Sequence, residues 1–258
     1  MALAIQSCVA LITGSASGLG RATVEYLIGK GIRGVIAFDS KPHEYKISNN
    51  VITVQGNVLQ QNDIEKALSI CKQKFGALNV VVNCAGIAVA NRMYNFQRRE
   101  AQPLDEMRKV IETNCLGTFN VNRLAVGLIG QTKREGEHKH RFSRGIIINT
   151  SGISAFDGSV GHVVQAAANG AINSMTLPMA RDLGVEGIRV VTIAAGFFKT
   201  ALLDSMPENA LKYLSQASVC PQRLGNAEEY AQLVADIIEN PLINGEVIRL
   251  DGGMRIPF

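Results

Sequence analysis

Short apolar segments alternate with longer segments of helical pattern along the whole chain of 258 residues. Seven short segments are rich in Val, Ile or Leu and apolar on both faces, as strands covered by helices on both sides must be. They span residues 8–13, 35–39, 51–55, 79–83, 145–149, 188–193 and 246–250. The helix-length segments between them span residues 19–29, 63–75, 104–129, about 160–183, and 227–239. This alternation predicts an α/β fold, a doubly wound parallel sheet of seven strands with helices on both faces.

Composition limits the class of protein. No linker rich in Pro, Gly or Ser divides the chain and no internal repeat is present, so we expect one domain over residues 1–258. A hydrophobic fraction of 47% with a net charge of +4 argues against wholesale disorder, and direct nucleic-acid binding is not expected. No apolar run is long enough for a membrane span. The five cysteines form no C-x-x-C pair, so we expect no metal site and a reducing compartment, not a secreted protein.

Two segments interrupt the alternation. Residues 131–144 are polar and basic, and they predict a loop that is either a surface insertion or a basic contact for RNA or an acidic partner. Residues 197–223 follow the end of a predicted strand, where open α/β sheets bind their ligands, so we expect a substrate lid there.

The segment TGSASGLG follows the first predicted strand and opens the first helix, with glycines at Gly14, Gly18 and Gly20. Such glycines allow a tight turn and let the backbone approach a pyrophosphate, which the helix N-terminus stabilises. Asp39 ends the second predicted strand, where its carboxylate would accept from a ribose 2′-hydroxyl and repel a 2′-phosphate. The sequence therefore predicts a Rossmann-type fold that binds NAD in preference to NADP. A glycine turn used only for packing is the simpler alternative.

The glycine segment, together with Asn83-Cys84-Ala85-Gly86, resembles the short-chain dehydrogenase/reductase family. Further blocks, such as MTLPMARDLG, RLGNAEEYAQLV and NPLINGEVIRLDGG, extend the resemblance over almost the full length. They are most similar to members that act on 3-hydroxyacyl-CoA and hydroxysteroid substrates with NAD. The resemblance implies a dinucleotide-binding half at about residues 1–150 and a catalytic and substrate-loop half at about residues 151–258.

The resemblance also implies which residues contact the dinucleotide. They are Gly14, Ser17, Gly18, Leu19, Gly20, Asp39, Asn57, Val58, Asn83, Cys84, Gly86, Phe198 and Thr200. Asn57 replaces an Asp of the family, but its amide oxygen can still accept from the adenine amino group.

The catalytic positions depart from the family. The family uses a Tyr as general acid/base, a Lys four residues later, a Ser at the preceding strand end and an Asn on a helix. In this sequence the Ser position is Gly152, the Tyr position is Gln165 and the Lys position is Asn169, while Asn114 is retained. Gln has no ionisable proton and Asn carries no charge, so we expect almost no turnover.

Substitute groups stand close in sequence. His162 precedes Gln165 by one helical turn and its imidazole can exchange a proton, so it is a candidate acid/base. Ser151 and Ser154 flank Gly152 and are candidates for a displaced hydroxyl.

Three functions follow from these residues. The first is a non-catalytic or strongly impaired relative that retains the fold, weak NAD(H) binding and a binding or scaffold role. The second is an active NAD-dependent oxidoreductase of 3-hydroxyacyl-CoA or hydroxysteroids that uses substitute residues. The third is a sensor of NAD or a metabolite. The resemblance further implies a homotetramer, a mitochondrial address and a protein partner that modifies or processes tRNA.

Overall fold

The computed structural model describes residues 3–44, 48–132, 143–201, 203 and 206–255. Its strands are β1 (Val9–Thr13), β2 (Gly34–Asp39), β3 (Val51–Gln55), β4 (Val80–Asn83), β5 (Tyr94–Asn95), β6 (Glu100–Ala101), β7 (Gly145–Gly152), β8 (Ile188–Ala195) and β9 (Val247–Leu250). Its helices are α1 (Gly18–Gly29), α2 (Gln61–Phe75), α3 (Leu104–Val110), α4 (Gly117–Gly130), α5 (Val163–Gly184), α6 (Glu208–Ala217) and α7 (Ala227–Glu239).

The main sheet has seven strands in the order β3-β2-β1-β4-β7-β8-β9, and every pair in it is parallel. The strand order changes direction between β1 and β4, so a crevice opens beyond the carboxyl ends of these two strands. This is the predicted doubly wound, Rossmann-type fold, and the prediction is confirmed.

Alternate strand residues point to opposite faces of the sheet and supply two hydrophobic cores. Ala10 and Ile12 of β1 pack in the core that α1 and α7 cover, whereas Val9 and Leu11 pack in the core beneath α2, α4 and α5. All five β1 residues are buried, which explains why the strand is apolar at every position.

Several boundaries differ from the sequence prediction. The helix predicted over residues 104–129 is α3, a π-helical segment (Ile111–Leu116) and α4 in succession. The helix predicted to begin at about residue 160 begins at Val163, because Gly161 has φ +85° and His162 occupies the N-cap position. β5 and β6 form a small antiparallel hairpin that the sequence pattern missed, since its residues are almost all exposed and show no apolar alternation.

The two interrupting segments are only partly described. Most of the basic loop predicted over residues 131–144 falls in residues 133–142, which lie outside the described residues. The predicted lid over residues 197–223 contains α6, whereas residues 202, 204 and 205 lie outside the described part. None of the helices described is both long enough and apolar enough to cross a membrane.

Candidate functional site: the dinucleotide cleft

The loop between β1 and α1 is packed so closely that two of its positions require glycine. Gly14 has φ +66°, and a Cβ atom there would lie 2.6 Å from the carbonyl carbon of Cys84. A Cβ at Gly20 would lie 2.2 Å from the carbonyl oxygen of Gly14, so the first turn of α1 rests directly on the loop. The loop backbone therefore lies at the N-terminus of α1. In folds of this kind, a pyrophosphate binds at that position.

Asp39 lies beside this loop at the end of β2. Its Oδ2 accepts a hydrogen bond from the amide of Ala16 at 2.9 Å, and its Oδ1 accepts one from the amide of Lys41 at 2.9 Å. The carboxylate thus joins the glycine loop to the segment that follows β2. The structure brings Asp39 and the glycine loop together, as the sequence predicted.

Two further contacts, both made by the Ser15 hydroxyl, stabilise the glycine loop. The Ser15 hydroxyl donates to the carbonyl oxygen of Phe38 at 3.1 Å and lies 2.9 Å from Nε2 of His43. Ser15 thus links the end of β2 to His43. Burial lowers the pKa of His43, an effect that Asp39 partly opposes. Sequence reasoning missed His43, which carried no motif signal.

The residues at the end of β3 form one wall of the crevice. The amide oxygen of Asn57 accepts from the backbone N–H of Leu59 at 3.0 Å, and the Asn57 N–H donates to Asp63 at 2.9 Å. Val58 is buried against Gly117, where a Cβ would approach the Val58 Cγ2 to 2.5 Å. Asn57 therefore stabilises the turn into α2, and Val58 packs in the hydrophobic core beside α4.

Three asparagines support the ends of β4 and β7. Asn83 donates to the side-chain oxygens of Asn122 at 2.7 Å and of Asn149 at 3.0 Å, and Asn122 donates to Asn149 at 3.0 Å. All three are buried. The sequence analysis singled out only Asn83, although a polar residue that interrupts the apolar run of a buried strand, as Asn149 does, is a usable signal.

Cys84 lies against a buried polar pair. The hydroxyls of Thr150 and Tyr230 are 2.7 Å apart, and the Cys84 sulfur lies 3.6 Å from Thr150 and 3.7 Å from Tyr230. Burial raises the pKa of Cys84 to about 11 and raises the pKa of Tyr230 well above its usual value. Neither group is therefore suited to act as a base or a nucleophile near neutral pH.

The segment after β8 closes the other side of the crevice. Phe198 packs edge-on against Tyr230, with ring centroids 6.3 Å apart. The Thr200 side chain lies 3.4 Å from the position a Cβ would take at Gly18, which has φ +54°. Phe198 thus contacts Tyr230 of α7, and Thr200 lies beside Gly18 of the glycine loop.

Gly152 and Asn169, two of the positions predicted to replace catalytic residues, lie close together, at the C-terminal end of β7 and in the N-terminal part of α5. A Cβ at Gly152 would lie only 2.8 Å from the Nδ2 of Asn169, and this nitrogen donates to the Ser154 hydroxyl at 2.9 Å. The Asn169 amide therefore occupies the space that a side chain at position 152 would enter.

Gln165 and Asn114 bind the same peptide unit. The Nδ2 of Asn114 donates to the carbonyl oxygen of Ile87 at 2.9 Å, and its Oδ1 accepts from the Ile87 N–H at 2.9 Å. The Nε2 of Gln165 donates to that same carbonyl oxygen at 3.3 Å, while its buried Oε1 has no hydrogen-bond partner among the described residues. The side-chain amides of Asn114 and Gln165 thus both donate to the Ile87 carbonyl oxygen.

The candidate substitutes are engaged elsewhere. Nδ1 of His162 lies 2.7 Å from the Ser159 hydroxyl. The Ser151 hydroxyl donates to Asn173 at 2.7 Å, and Ser154 accepts from Asn169. These contacts involve Nδ1 of His162 and the hydroxyl proton of Ser151, whereas Ser154 only accepts and its hydroxyl proton can still be donated. Among the residues described, no three His, Cys, Asp or Glu side chains are grouped as a metal site.

Comparison with known proteins places these features in a family. The family model described as "short chain dehydrogenase" matches residues 8–211. The chain is 45% identical to 3-hydroxyacyl-CoA dehydrogenase type-2 of Homo sapiens over 98% of this chain and 97% of the relative. It is 44% identical to the protein of that name in Drosophila melanogaster, over 98% of this chain and 99% of the relative. A crystal structure of 3-hydroxyacyl-CoA dehydrogenase type-2 from Mycobacterium avium superposes with a TM-score of 0.90, at 33% identity and 98% coverage of both chains.

Proposed function

This chain belongs to the short-chain dehydrogenase/reductase family, and we propose that it is a member that binds NAD(H) but is non-catalytic or strongly impaired. One observation carries this proposal. By the family resemblance, the positions of Ser, Tyr and Lys correspond to Gly152, Gln165 and Asn169, and none of these three residues has an ionisable side chain.

The loss of chemistry is large. A positioned general acid/base contributes roughly 10²- to 10⁴-fold to the rate of a reaction. The hydroxyl missing at Gly152 removes a donor to the substrate carbonyl, an interaction often worth about 3 kcal/mol in the transition state. Because such groups act as a unit, the two losses do not simply add.

The residues of the dinucleotide cleft fit NAD(H). The glycine loop would bind the pyrophosphate, and Asp39 would accept from the ribose hydroxyls. When bound, the nicotinamide ring of this cofactor donates or accepts a hydride. The Asn114 side chain hydrogen bonds to the backbone of Ile87 and supports this part of the cleft. The residues that would transfer a proton are absent.

NAD(H) binds more weakly in this proposal than in the active relatives. The family's Lys bonds the nicotinamide ribose through its ammonium group, whereas the amide of Asn169 is uncharged and already donates to Ser154. A charge-assisted hydrogen bond is worth about 1.5–3 kcal/mol, which corresponds to a dissociation constant raised roughly ten- to a hundredfold.

A binding or scaffold role follows for a chain that keeps its fold and lacks turnover. Exposed apolar residues on α4 and α5, among them Phe119, Val163 and Leu177, support assembly into a homotetramer. The mitochondrial address, the partner that modifies or processes tRNA, and the division of the chain near residue 150 rest on the family resemblance alone. Co-purification from fractionated cells tests the first two.

The alternative is an active NAD-dependent oxidoreductase of 3-hydroxyacyl-CoA or hydroxysteroid substrates. The 45% identity with 3-hydroxyacyl-CoA dehydrogenase type-2 favours it. It requires a substitute acid/base, for which His162 is the nearest candidate in sequence.

A turnover assay separates the two functions. We expect oxidation of NADH with acetoacetyl-CoA at least ~1000-fold slower than in a catalytic relative measured in parallel, because both the acid/base and the carbonyl donor are absent. A rate within tenfold of that relative would refute the proposal. If activity of that size is abolished in the H162A variant, the alternative function with His162 as the acid/base is established.

A further inference from the structure

The hairpin of β5 and β6 combines exposed apolar and basic side chains in one short segment. Phe96, in the loop that joins the two strands, is 84% exposed, and Met93 is 70% exposed, although both are large and apolar. Arg92, Arg98 and Arg99 are exposed in the same segment. Exposed apolar side chains that lie among charged ones are typical of a surface that binds a protein or a membrane.

Local contacts fix the conformation of the hairpin loop. The side-chain oxygen of Asn95 accepts hydrogen bonds from the backbone N–H groups two and three residues later, at 3.1 and 3.0 Å. Arg99, immediately before β6, has φ +55°, in the left-handed region. The Phe96 ring packs against Tyr94, with ring centroids 4.8 Å apart. Because the loop is already ordered, a partner can bind it at little further cost in backbone entropy.

The base of the hairpin is anchored beside the cleft. The Nδ2 of Asn91 donates to both carboxylate oxygens of Glu106 on α3, at 2.9 and 3.0 Å. The Asn91 N–H donates to the carbonyl oxygen of Gly161 at 3.0 Å. Gly161 directly precedes the N-cap residue of α5, the helix that carries Gln165. A surface bound by the hairpin would therefore lie next to this end of the cleft.

The charges of the hairpin favour an anionic partner. Three arginines stand against the single carboxylate of Glu100 among residues 92–101. None of the ion pairs found within the described part of the chain involves these arginines. Their guanidinium groups can therefore bind phosphate oxygens without first breaking a salt bridge.

Two anionic partners differ in what they require of the aromatic rings. Single-stranded nucleic acid stacks successive bases on open aromatic faces. Tyr94 and Phe96 are instead inclined at 60° to each other, so they do not form a parallel platform for neighbouring bases. A bilayer with anionic lipids accepts apolar side chains at its interface and attracts basic residues beside them, which matches the hairpin better.

We propose that the hairpin of β5 and β6 docks the chain on bilayers that contain anionic phospholipids. Phe96 and Met93 enter the boundary between headgroups and acyl chains, and Arg98 and Arg99 bind lipid phosphates. The contact is peripheral, and it goes beyond the proposed function because it uses no residue of the dinucleotide cleft.

Co-sedimentation of the full chain with vesicles tests the docking surface. One set of vesicles contains phosphatidylcholine alone, and the other contains phosphatidylcholine and phosphatidylserine at about two to one. We expect binding to the anionic vesicles that is at least about tenfold tighter than binding to the neutral ones. R98Q and R99Q should each weaken that binding by about fivefold, and F96S should weaken it by about tenfold.

Exposed residues outside the hairpin supply matched controls. K66Q removes an exposed cation from α2, and L242S removes an apolar side chain that is 90% exposed. Neither change should alter vesicle binding. Because Phe96 is itself almost fully exposed, F96S should leave the unfolding curve of the chain unchanged, and this separates a lost contact from a lost fold.

Three results would overturn the proposal. The first is equal binding to both kinds of vesicle or binding to neither. The second is binding to anionic vesicles that R98Q, R99Q and F96S all leave unchanged, because another surface would then be responsible. The third is binding of a single-stranded oligonucleotide that R98Q weakens, without vesicle binding, which would identify the hairpin as a nucleic-acid contact.

Discussion

At the scale of single residues, the substitutions in the catalytic region depend on one another. The Asn169 side chain fills the space above Gly152 and hydrogen bonds to Ser154, so a side chain at position 152 must displace that amide. Gly152 has φ −137°, an ordinary extended conformation, so the backbone would accept a serine. A serine at position 152 would therefore clash with the Asn169 side chain without straining the backbone.

This coupling predicts the stability of a single reversion. G152S should lower the free energy of unfolding by about 1 kcal/mol, because it breaks the hydrogen bond between Asn169 and Ser154. In an N169A background, where that bond is already absent, the same change should cost much less. Urea unfolding of the four proteins in this cycle measures the coupling energy.

Gly170 supplies a control for the cycle. A Cβ at this position meets nothing within 4 Å, so G170S should not destabilise the chain. Equal costs for G152S with and without Asn169 would show that the two positions are independent, contrary to the structure.

Cysteine reactivity follows from burial at the same scale. Cys220 is exposed, whereas burial raises the pKa of Cys84 to about 11 and that of Cys8 to about 11. At pH 8 we expect iodoacetamide to modify Cys220 first and Cys84 far more slowly, because only thiolates react. Peptide mass spectrometry over time measures both rates, and faster modification of Cys84 would contradict the buried environment described here.

At the scale of elements, α7 shows how local sequence fixes a helix that the site needs. Asn226 and Glu229 form a capping box at its N-terminus, and Arg223 binds both carboxylate oxygens of Glu229 at 2.7 and 2.9 Å. The buried Tyr230 follows directly and carries its hydroxyl to Thr150 in the cleft. The first turn of α7 therefore positions a residue that supports the floor of the cofactor site.

The ion pair at this cap predicts a pH dependence of stability. The Arg223 guanidinium and the Asn226 amide lower the pKa of Glu229 from 4.5 to about 2. The folded pKa lies below the unfolded one, so the stabilisation is complete above about pH 4.5 and is lost as the pH falls towards 2. Since the Glu229 side chain is 41% exposed, we expect E229Q to lower the free energy of unfolding by only about 1 kcal/mol at pH 7. The loss should become smaller as the pH falls below 4.5.

Glu228 lies beside Glu229 in the same helical turn and has no such arginine contact, so E228Q is the matched control. Unfolding curves of E229Q, E228Q and the unchanged protein between pH 3 and 7 test this pH dependence. A destabilisation by E229Q that grows with acidification would contradict the assignment.

Some helices and strands could be predicted from the sequence, and others could not. The apolar strands and α7 were predicted well, because burial on both faces and a strong cap leave clear patterns. α6 and the hairpin of β5 and β6 were missed, since they lie on the surface with few buried residues. The glycine loop and Asp39 could be predicted from adjacent sequence. The contact of Asn169 with Gly152 and that of Tyr230 with Cys84 could not, because they depend on how separate elements pack.

At the scale of the whole molecule, we propose that three segments form the subunit contacts of a tetramer, as the family resemblance implies: residues 104–129, 160–183 and 244–258. Phe119 on α4 is 46% exposed, and β9 is an edge strand that pairs only with β8 among the described strands. Contacts between subunits commonly bury exposed apolar side chains on long helices and unpaired sheet edges.

We therefore expect a homotetramer in light scattering at micromolar concentration. F119E should shift the mass towards smaller species, because a charge would be buried in the contact. Phe96, exposed at the tip of the hairpin outside the three segments, provides the control as F96E. A monomeric mass for the unchanged protein would contradict the assembly.

The central claim is that this chain keeps the cofactor cleft but lacks the groups that transfer a proton, polarise a carbonyl and bond the nicotinamide ribose through an ammonium. The most direct test measures NADH oxidation with acetoacetyl-CoA by the unchanged chain and by the triple variant G152S/Q165Y/N169K. We predict that the triple variant gains turnover at least about tenfold above the unchanged chain, whereas no single reversion does, because the groups act as a unit. Substantial turnover by the unchanged chain, or a triple variant that folds and binds NADH but gains no activity, would contradict the claim.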